Sequence, residues 1–580
     1  MSDRVEHTRS IIDEPTAVLP VVPMPQPELV TAPVVEEAAP ADAASAGEVA
    51  RNSGTMAIGS LVSRATGFLR AAAIAAAIGA STVGDDYNLA NNLPNMVYEL
   101  LLGGVLASVL IPILVKSRKD DPDGGQAYAQ RLLTLAVVAI GAATVVVVLA
   151  APLFTALLTS DTATRADRDL ITLLAYLLLP EIFFYALAGI FAAILNTRGH
   201  FAAPMWTPIL NNVVVIATAG TFALIRLGAG APTPETIGLT EVLVLGIGTT
   251  LGIVVQAVGL WPALRKVGFR WRWRWEFRQL HLRELARLGG WMLLYVTVSQ
   301  IGILVVMKLA KLVGEQGEPG PMIYNNAFLI FMMAHGIVAV SVITAMMPRL
   351  SSAAADGRYT DVAEQLSHGT RLAAVILIPA AALYVALGRP LAIALFQGGN
   401  YSHEQAVDTG WVITAAGLGL VPYAISQLQT AAFYAMRDTR TPALFNVPVV
   451  GVRVGLDVAF YFLLPAAWVT ASLMAGTAAS FVVAVVFGYW LLRRRIGRLG
   501  LARVADTLAK LALAAAVATV PAYGTAWALS RMLGEGKLGS AVQVLFGAAV
   551  LLAVYVALAT LFKVREVRQL TGVVKSKFGR

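Results

Sequence analysis

Fourteen apolar runs, each long enough to cross about 30 Å of hydrocarbon and divided by short polar breaks, follow one another between residues 55 and 562. They lie at 55–79, 88–115, 131–158, 170–195, 204–226, 240–264, 287–312, 322–347, 371–396, 409–435, 443–463, 467–492, 506–530 and 539–562. Hydrocarbon supplies no water to satisfy backbone N–H and C=O groups, so such runs must be helical. Of the 580 residues, 57% are hydrophobic and only 14% charged, with a mean hydropathy of +0.70, far from soluble domains. The fold class expected is an all-α polytopic membrane protein.

Charge position gives the orientation. Lys and Arg collect in the breaks after even-numbered helices: KSRK (Lys116 to Lys119), the long run from Arg265 to Arg287, RRRIGR (Arg493 to Arg498) and the closing KSKFGR. Short positive loops stay in the cytoplasm, so both termini are expected there. Residues 1–54 differ from the rest: seven prolines, no aromatic residue, and nine acidic residues against three arginines. They read as a disordered acidic tail of net charge −6, which leaves +15 of the total +9 on the membrane body. The tail lacks the layout of a signal peptide and is expected to stay attached. It is either a plain extension or a dock for partners.

Several function classes drop out. The sequence has no cysteine, so thiolate metal sites and cysteine nucleophiles are excluded. Its six histidines are scattered, and HExxH, GxxxxGK[ST] and GxSxG are all missing, so no enzyme activity, metal site or cofactor is expected and ATP is not the energy source. The alternating RWRWRW (Arg270 to Trp275) resembles a nucleic-acid strip, but between two membrane helices it fits an interfacial belt touching anionic lipids.

The chain repeats itself. YNLANNLPNMVYELLLGGVLASVLIPIL from Tyr87 is echoed by YNNAFLIFMMAHGIVAVSVITAMMPRL from Tyr324, and NTRGHFAAPMWTPILNN from Asn196 by RDTRTPALFN from Arg437. Six helices fit in each offset, so the halves share one orientation and are related by a pseudo-two-fold along the membrane normal. The expected layout is a 1–54 tail, a six-helix bundle over 55–264, a basic linker over 265–286, a second six-helix bundle over 287–492, and 493–580 with two further helices and a basic end.

Charges and amides inside the membrane mark the candidate site. Arg64 and Arg70 lie in the first apolar run. Asn88, Asn92, Asn95 and Glu99 share one face of the second. Polar groups in hydrocarbon are costly unless they face water, a partner or a ligand, so this helix pair is expected to line an aqueous cavity. Arg64 and Arg70 are six residues apart, about 9 Å along a helix and some 120° around it, so a joint clamp requires a bend at Gly67. Two readings stand for each remaining residue. The asparagines bind hydroxyl and amide groups or glue helices together. Lys308 is a cavity cation or snorkels outward, and His335 is a protonatable gate or a neutral interhelical contact. Asp85 and Asp86 cap the second helix or bridge to a cation of the other bundle, and Glu99 is a candidate partner for Arg70. Arg198, Arg437 and Arg440 form an inner gate or serve turn structure.

SRATGFLR, GASTVGDDYNLANNLPN, the helix end at Ala345 to Leu350, and FYAMRDTRTP at Phe433 to Pro442 resemble the MurJ (MviN) lipid II flippases of the multidrug/oligosaccharidyl-lipid/polysaccharide exporter superfamily. The resemblance implies a bacterial cytoplasmic-membrane transporter. It moves a polyprenyl-pyrophosphate-linked glycopeptide outward by alternating access, driven by membrane potential or an ion gradient, with a cationic cavity and a lipid groove at the last two helices. Arg64, Arg70 and Asp85 match the family pattern, whereas Tyr98, Glu99, Gly103 and Leu329 depart from it. A diphosphate suits guanidinium, always charged and able to bond two oxygens at once. The rivals are a flippase for another polyprenyl-linked glycan, a cation-coupled drug exporter, and a transport-inactive scaffold whose tail recruits cell-wall synthesis proteins.

Overall fold

A computed structural model describes residues 46–103, 111–161, 163–280, 282–497 and 499–568. The tail up to residue 45, the middle of the second apolar run and the closing KSKFGR lie outside the described residues. The helices are α1 (Ala46–Ile78), α2 (Thr82–Tyr98), α3 (Ile111–Asp120), α4 (Gln126–Leu149), α5 (Ala151–Leu158), α6 (Arg165–Leu178), α7 (Glu181–Thr197), α8 (Ala202–Ile225) and α9 (Leu239–Gly259). They continue as α10 (Trp261–Lys266), α11 (Leu282–Gly314), α12 (Pro321–Ala355), α13 (Tyr359–Phe396), α14 (His403–Ala435), α15 (Arg440–Leu463), α16 (Ala466–Ile496), α17 (Leu501–Leu533) and α18 (Lys537–Leu561). Among the described residues, 13 helical spans are long and apolar enough to cross a membrane, and helix pairs such as α6 with α7 make single crossings. The remaining expected crossing is the one that opens with α2. It stops being an α-helix at Tyr98 and winds as a π-helical turn over Glu99–Gly103, a distortion that often marks functional positions.

The first helix starts at Ala46, within the expected tail rather than at residue 55. It runs through Gly67 without a break. α8 packs alongside, where Asn212 Nδ2 donates to the Ser63 carbonyl (3.2 Å) and to Thr66 Oγ1 (2.9 Å).

The repeat is plain in helix lengths and packing. α1 and α11 both have 33 residues, as do the Arg165–Thr197 crossing and α14, and α8 and α15 both have 24. α1 packs on α8 as α11 packs on α15, α8 on α9 as α15 on α16, and α2 on α6 as α12 on α14. The asparagine clamp recurs too: Asn446 Nδ2 donates to the Tyr295 carbonyl (3.1 Å) and Ser299 Oγ (2.9 Å). So does a tyrosine–threonine pair, Tyr87 with Thr249 (2.8 Å) and Tyr324 with Thr477 (3.2 Å). α17 and α18 pack on each other and on α13 through a separate apolar cluster around Leu511, Ala518 and Tyr555, whose hydroxyl donates to the Val375 carbonyl (2.9 Å).

Candidate functional site

The two bundles meet along α1, α2 and α5 on one side and α11, α12 and α13 on the other. Among the described residues, the hydrogen bonds and ion pairs that cross between them gather toward one end, that of Gly79, Ser160, Gly320 and Asn400. The charge pattern makes this the expected external end.

The strongest link is ionic. Lys311 Nζ on α11 lies 2.5 Å from Asp86 Oδ1 on α2 and 2.9 Å from Asp167 Oδ1 on α6, with Glu315 3.9 Å away. Lys311 is 1% exposed and Asp86 0%. Such a group is stable only while complete, because removing one partner strands a buried charge. Asp167 is presented by the first turn of α6, whose N-cap Thr164 accepts from the Asp167 amide.

Asp85 makes a second link. Its Oδ1 accepts from the Met322 amide (2.9 Å), so it caps α12, a helix of the other bundle. Capping of its own helix is therefore corrected: α2 begins at Thr82 with Ser81 as N-cap, so both aspartates sit inside the first turns, and α12 opens beside Asp85. A Cβ at Gly320 would overlap the Asp85 carboxylate, so only glycine fits there.

Below these, Asn325 Nδ2 donates to Asn88 Oδ1 (3.2 Å), pairing two repeat-equivalent residues across the pseudo-axis. Asn92 Nδ2 approaches Met307 Sδ at 3.8 Å. The loops close around this core. Asn400 donates to the Ala76 and Ala77 carbonyls, the Ala80 amide donates to Gln405, the Ser160 amide to Glu315, and Lys308 Nζ to the Thr159 carbonyl. Asn88, Asn92 and Lys308 thus hold the closed end, and Asn95 is exposed.

Deeper in the membrane the chemistry changes. The Arg64 guanidinium reaches from α1 onto Gly336 of α12, where a Cβ would collide with it. Arg70 points elsewhere, as its angular offset requires, toward Tyr87, Tyr185 and Glu181, all of which its charge influences. Among the described residues neither arginine has an ion pair or hydrogen bond, although both are partly buried. The pairing of Glu99 with Arg70 is not present; Glu99 lies half-buried in the π-helical turn beside Tyr98, which packs on Tyr185 at 5.7 Å. His335 is 5% exposed and packs against Tyr423 of α14, tilted by 51° with ring centroids 4.4 Å apart and Nδ1 unpartnered, within an aromatic group that includes Phe331 and Phe481.

At the opposite end the arginines stay within their own bundles. Arg198 donates to the Val267 carbonyl (2.8 Å) and covers Phe269, and burial followed by the nearby Arg118 charge pushes its guanidinium below its ordinary range. Arg440 covers the Trp291 ring at 5.3 Å. Arg437 takes a left-handed φ of 59° in the turn before α15, whose next residue, Asp438, accepts from the Thr441 amide and pairs with Arg495. The structure brings none of the three to the facing bundle, so the inner-gate reading has no contact here and the turn reading does.

Sequence reasoning passed over Lys311, Asp167, Asn325 and Glu181. Asn325 was recoverable as the repeat partner of Asn88. Lys311 lies one turn from Lys308, and only packing decides which of the two turns inward. Glu181 follows Pro180 in the middle of an apolar run, and an intramembrane carboxylate is itself a signal. It is 1% exposed, with Oε1 3.3 Å from the Thr250 hydroxyl and Oε2 unpartnered.

A family model described as lipid II flippase MurJ matches residues 74–547. A probable lipid II flippase MurJ of Synechocystis is 27% identical over 547 residues, covering 92% of this chain and 99% of the relative. One from Rhizobium meliloti is 24% identical over 437 residues, covering 74% and 79%. Among solved structures, a lipid II flippase MurJ in an inward closed conformation aligns with a TM-score of 0.69 at 18% identity, over 87% of this chain and 98% of that one. An inward-facing MATE family multidrug resistance transporter of the MOP superfamily aligns at 0.55 and 16%, over 77% and 94%.

Proposed function

The chain belongs to the lipid II flippase MurJ family, and from that premise we propose that it carries the lipid-linked peptidoglycan precursor from the inner to the outer leaflet by alternating access. One observation supports this most directly: two guanidinium groups stand in the membrane interior without a carboxylate partner among the described residues. A diphosphate is the anion they suit. Arg64 on the α12 side and Arg70 on the α7 side grip it from two directions, rather than as one clamp.

The closed end described above supplies the conformational half of the reading. With Lys311, Asp85 and the Asn88–Asn325 pair engaged, the cavity is shut toward the expected external face and accepts a headgroup from the cytoplasmic leaflet. Rocking the bundles apart at this seal releases the headgroup on the other side. The polyprenyl tail stays in lipid, alongside the apolar groove between α13 and α18 lined by Val375, Pro379, Leu383, Leu552 and Tyr555. The chain resides in the bacterial cytoplasmic membrane with both termini inside. Membrane potential drives the cycle: each charge crossing 100 mV gains about 2.3 kcal/mol, enough to bias return of an empty cationic cavity.

The test is depletion in cells lacking another flippase, with outer-leaflet lipid II probed by an impermeant reagent. Loss of accessible lipid II, restored by the wild-type chain and not by an R64A/R70A chain, is the expected result. Undiminished surface lipid II after full depletion overturns the reading.

A further inference from the structure

We propose that the linker between the two bundles is a binding site for the phosphate headgroups of anionic phospholipids in the adjacent leaflet. The inference rests on the linker's own geometry and stands whatever the central cavity carries.

From Arg270 to Glu276 the chain runs without helix, so successive side chains alternate between two sides. One side is an indole ladder: Trp271 to Trp273 at 4.8 Å, Trp273 to Trp275 at 6.0 Å and nearly parallel, then Trp275 edge-on to Phe277 at 5.8 Å. Trp273 and Trp275 are 55% and 62% exposed, unusual for large aromatic rings unless an interface covers them.

The other side is a row of guanidinium groups. Arg270, Arg272 and Arg274 line a cavity of about 450 Å³, together with Gln130 and Asp123 of the first bundle. Among the described residues none of the three arginines is ion-paired. Asp123 is spent on the Gly125 and Ala127 amides at the start of α4.

The row is also fixed in place. Gln130, 2% exposed, donates through Nε2 to the Arg270 carbonyl and accepts at Oε1 from Arg274 Nε (2.8 Å). Thr134, fully buried, accepts from the Arg274 amide (3.2 Å), and Arg131 pairs with Glu276 at 3.2 Å. Although an extended chain spaces the Arg270 and Arg274 α-carbons about 13 Å apart, the Gln130 amide is bonded to both residues and holds the Arg274 side chain back toward Arg270, so the row is gathered on one side.

A lipid is the occupant that satisfies both sides at once. Its phosphate meets the arginines, and its glycerol and upper acyl region receive the indoles beside the membrane-crossing ends of α4 and α10. A soluble phosphate leaves the indole ladder exposed. Bound lipid also fastens the linker to the first bundle, so hinge motion falls beyond Phe277, where the chain enters α11.

The experiment uses the full chain in nanodiscs of phosphatidylcholine doped with brominated phosphatidylglycerol or, separately, brominated phosphatidylcholine, read by tryptophan quenching. Phosphatidylglycerol is expected to quench several-fold more at equal mole fraction. R270Q/R272Q/R274Q reduces that excess to the phosphatidylcholine level, while W273F/W275F removes most of the excess and leaves the quenching of the other eight tryptophans. R493Q/R494Q, at another basic edge, leaves the preference intact. Equal quenching by the two lipids in the wild type overturns the proposal. So does an excess unchanged in the triple variant, one lost equally in R493Q/R494Q, or one abolished by millimolar inorganic phosphate. Thermal melting of each variant separates these outcomes from misfolding.

Discussion

Replacing Lys311 with alanine tests the seal at its most buried point. Lys311, Asp86 and Asp167 are all at most 3% exposed, so solvent screening discounts little of their interaction. Removing one partner from such a group costs about 3–5 kcal/mol, because the remaining charges stay buried and unpaired. The loss falls on the closed conformation, since opening admits water to Asp86 and Asp167. At about 1.4 kcal/mol per factor of ten, the closed-to-open ratio drops on the order of a hundredfold or more. The chain has no cysteine, so one placed at Asn325, under the cluster, is a unique reporter, and the Asn88 hydrogen bond it removes is missing equally from every variant compared. An impermeant maleimide added from outside is expected to label N325C slowly in the parent and far faster with K311A. Replacing the whole group, D86L/D167L/K311M, restores slow labelling, because a buried ion cluster can give way to hydrophobic side chains of similar volume at little cost. Labelling unchanged by K311A, or as fast in the triple replacement as in K311A, refutes the ionic seal.

Gly320→Ala pushes a methyl group into the Asp85 carboxylate and detaches the α12 cap, costing about 1 kcal/mol; N325C labelling should rise, by less than with K311A. Arg70→Ala should weaken headgroup binding by about 2 kcal/mol or more, and Arg70→Lys should recover only part, since lysine is a point charge without the bidentate fork; complementation of a depleted strain and lipid II binding in detergent check both. Asn212→Ala and Asn446→Ala each remove a clamp on the first helix of their bundle, at about 0.5–1.5 kcal/mol apiece. Sitting in separate bundles, they should add in a double variant measured by thermal melting, and strong coupling between them would contradict two independent clamps.

The helices and the repeat were legible because the bilayer forces them: an apolar run of sufficient length has one backbone solution, and Tyr87 and Tyr324 announce the duplication. Contacts across the bundles were less legible. Asp85 and Asp86 are adjacent in sequence and read alike as helix caps, yet one caps a helix of the opposite bundle and the other meets Lys311. Nothing local distinguishes them, because the difference lies in which residues the second bundle brings to that end. Lys308 and Lys311 pose the same problem one helical turn apart. Arg64 and Arg70 were legible as intramembrane charges, and their 120° separation held because α1 runs straight through Gly67 without bending.

The repeat also shows where symmetry stops. Both bundles keep the asparagine clamp and the tyrosine–threonine pair, so these scaffold contacts are duplicated. The charges are not. Beside Tyr87 the first bundle sets Arg70 near Glu181, on different helices. Beside Tyr324 the second bundle sets Arg453 3.7 Å from Asp457, four residues along the same helix, with Arg453 Nη2 3.3 Å from the tyrosine hydroxyl. A pair within one helix turn moves with that helix and keeps its internal distance during rocking. Arg70 and Glu181, on α1 and α7 and not ion-paired, change separation whenever those helices shift, so their electrostatics register the conformation. Responsive charge thus sits in the first bundle and self-contained charge in the second. The Asn88–Asn325 contact on the pseudo-axis belongs to the seal that joins them. Swapping these two asparagines for aspartate and lysine should therefore tighten closure in either order, since equivalent positions on the axis face each other alike. Slow N400C labelling in both N88D/N325K and N88K/N325D would bear this out, and a strong dependence on the order would show that the surrounding charges, not the axis, decide the contact.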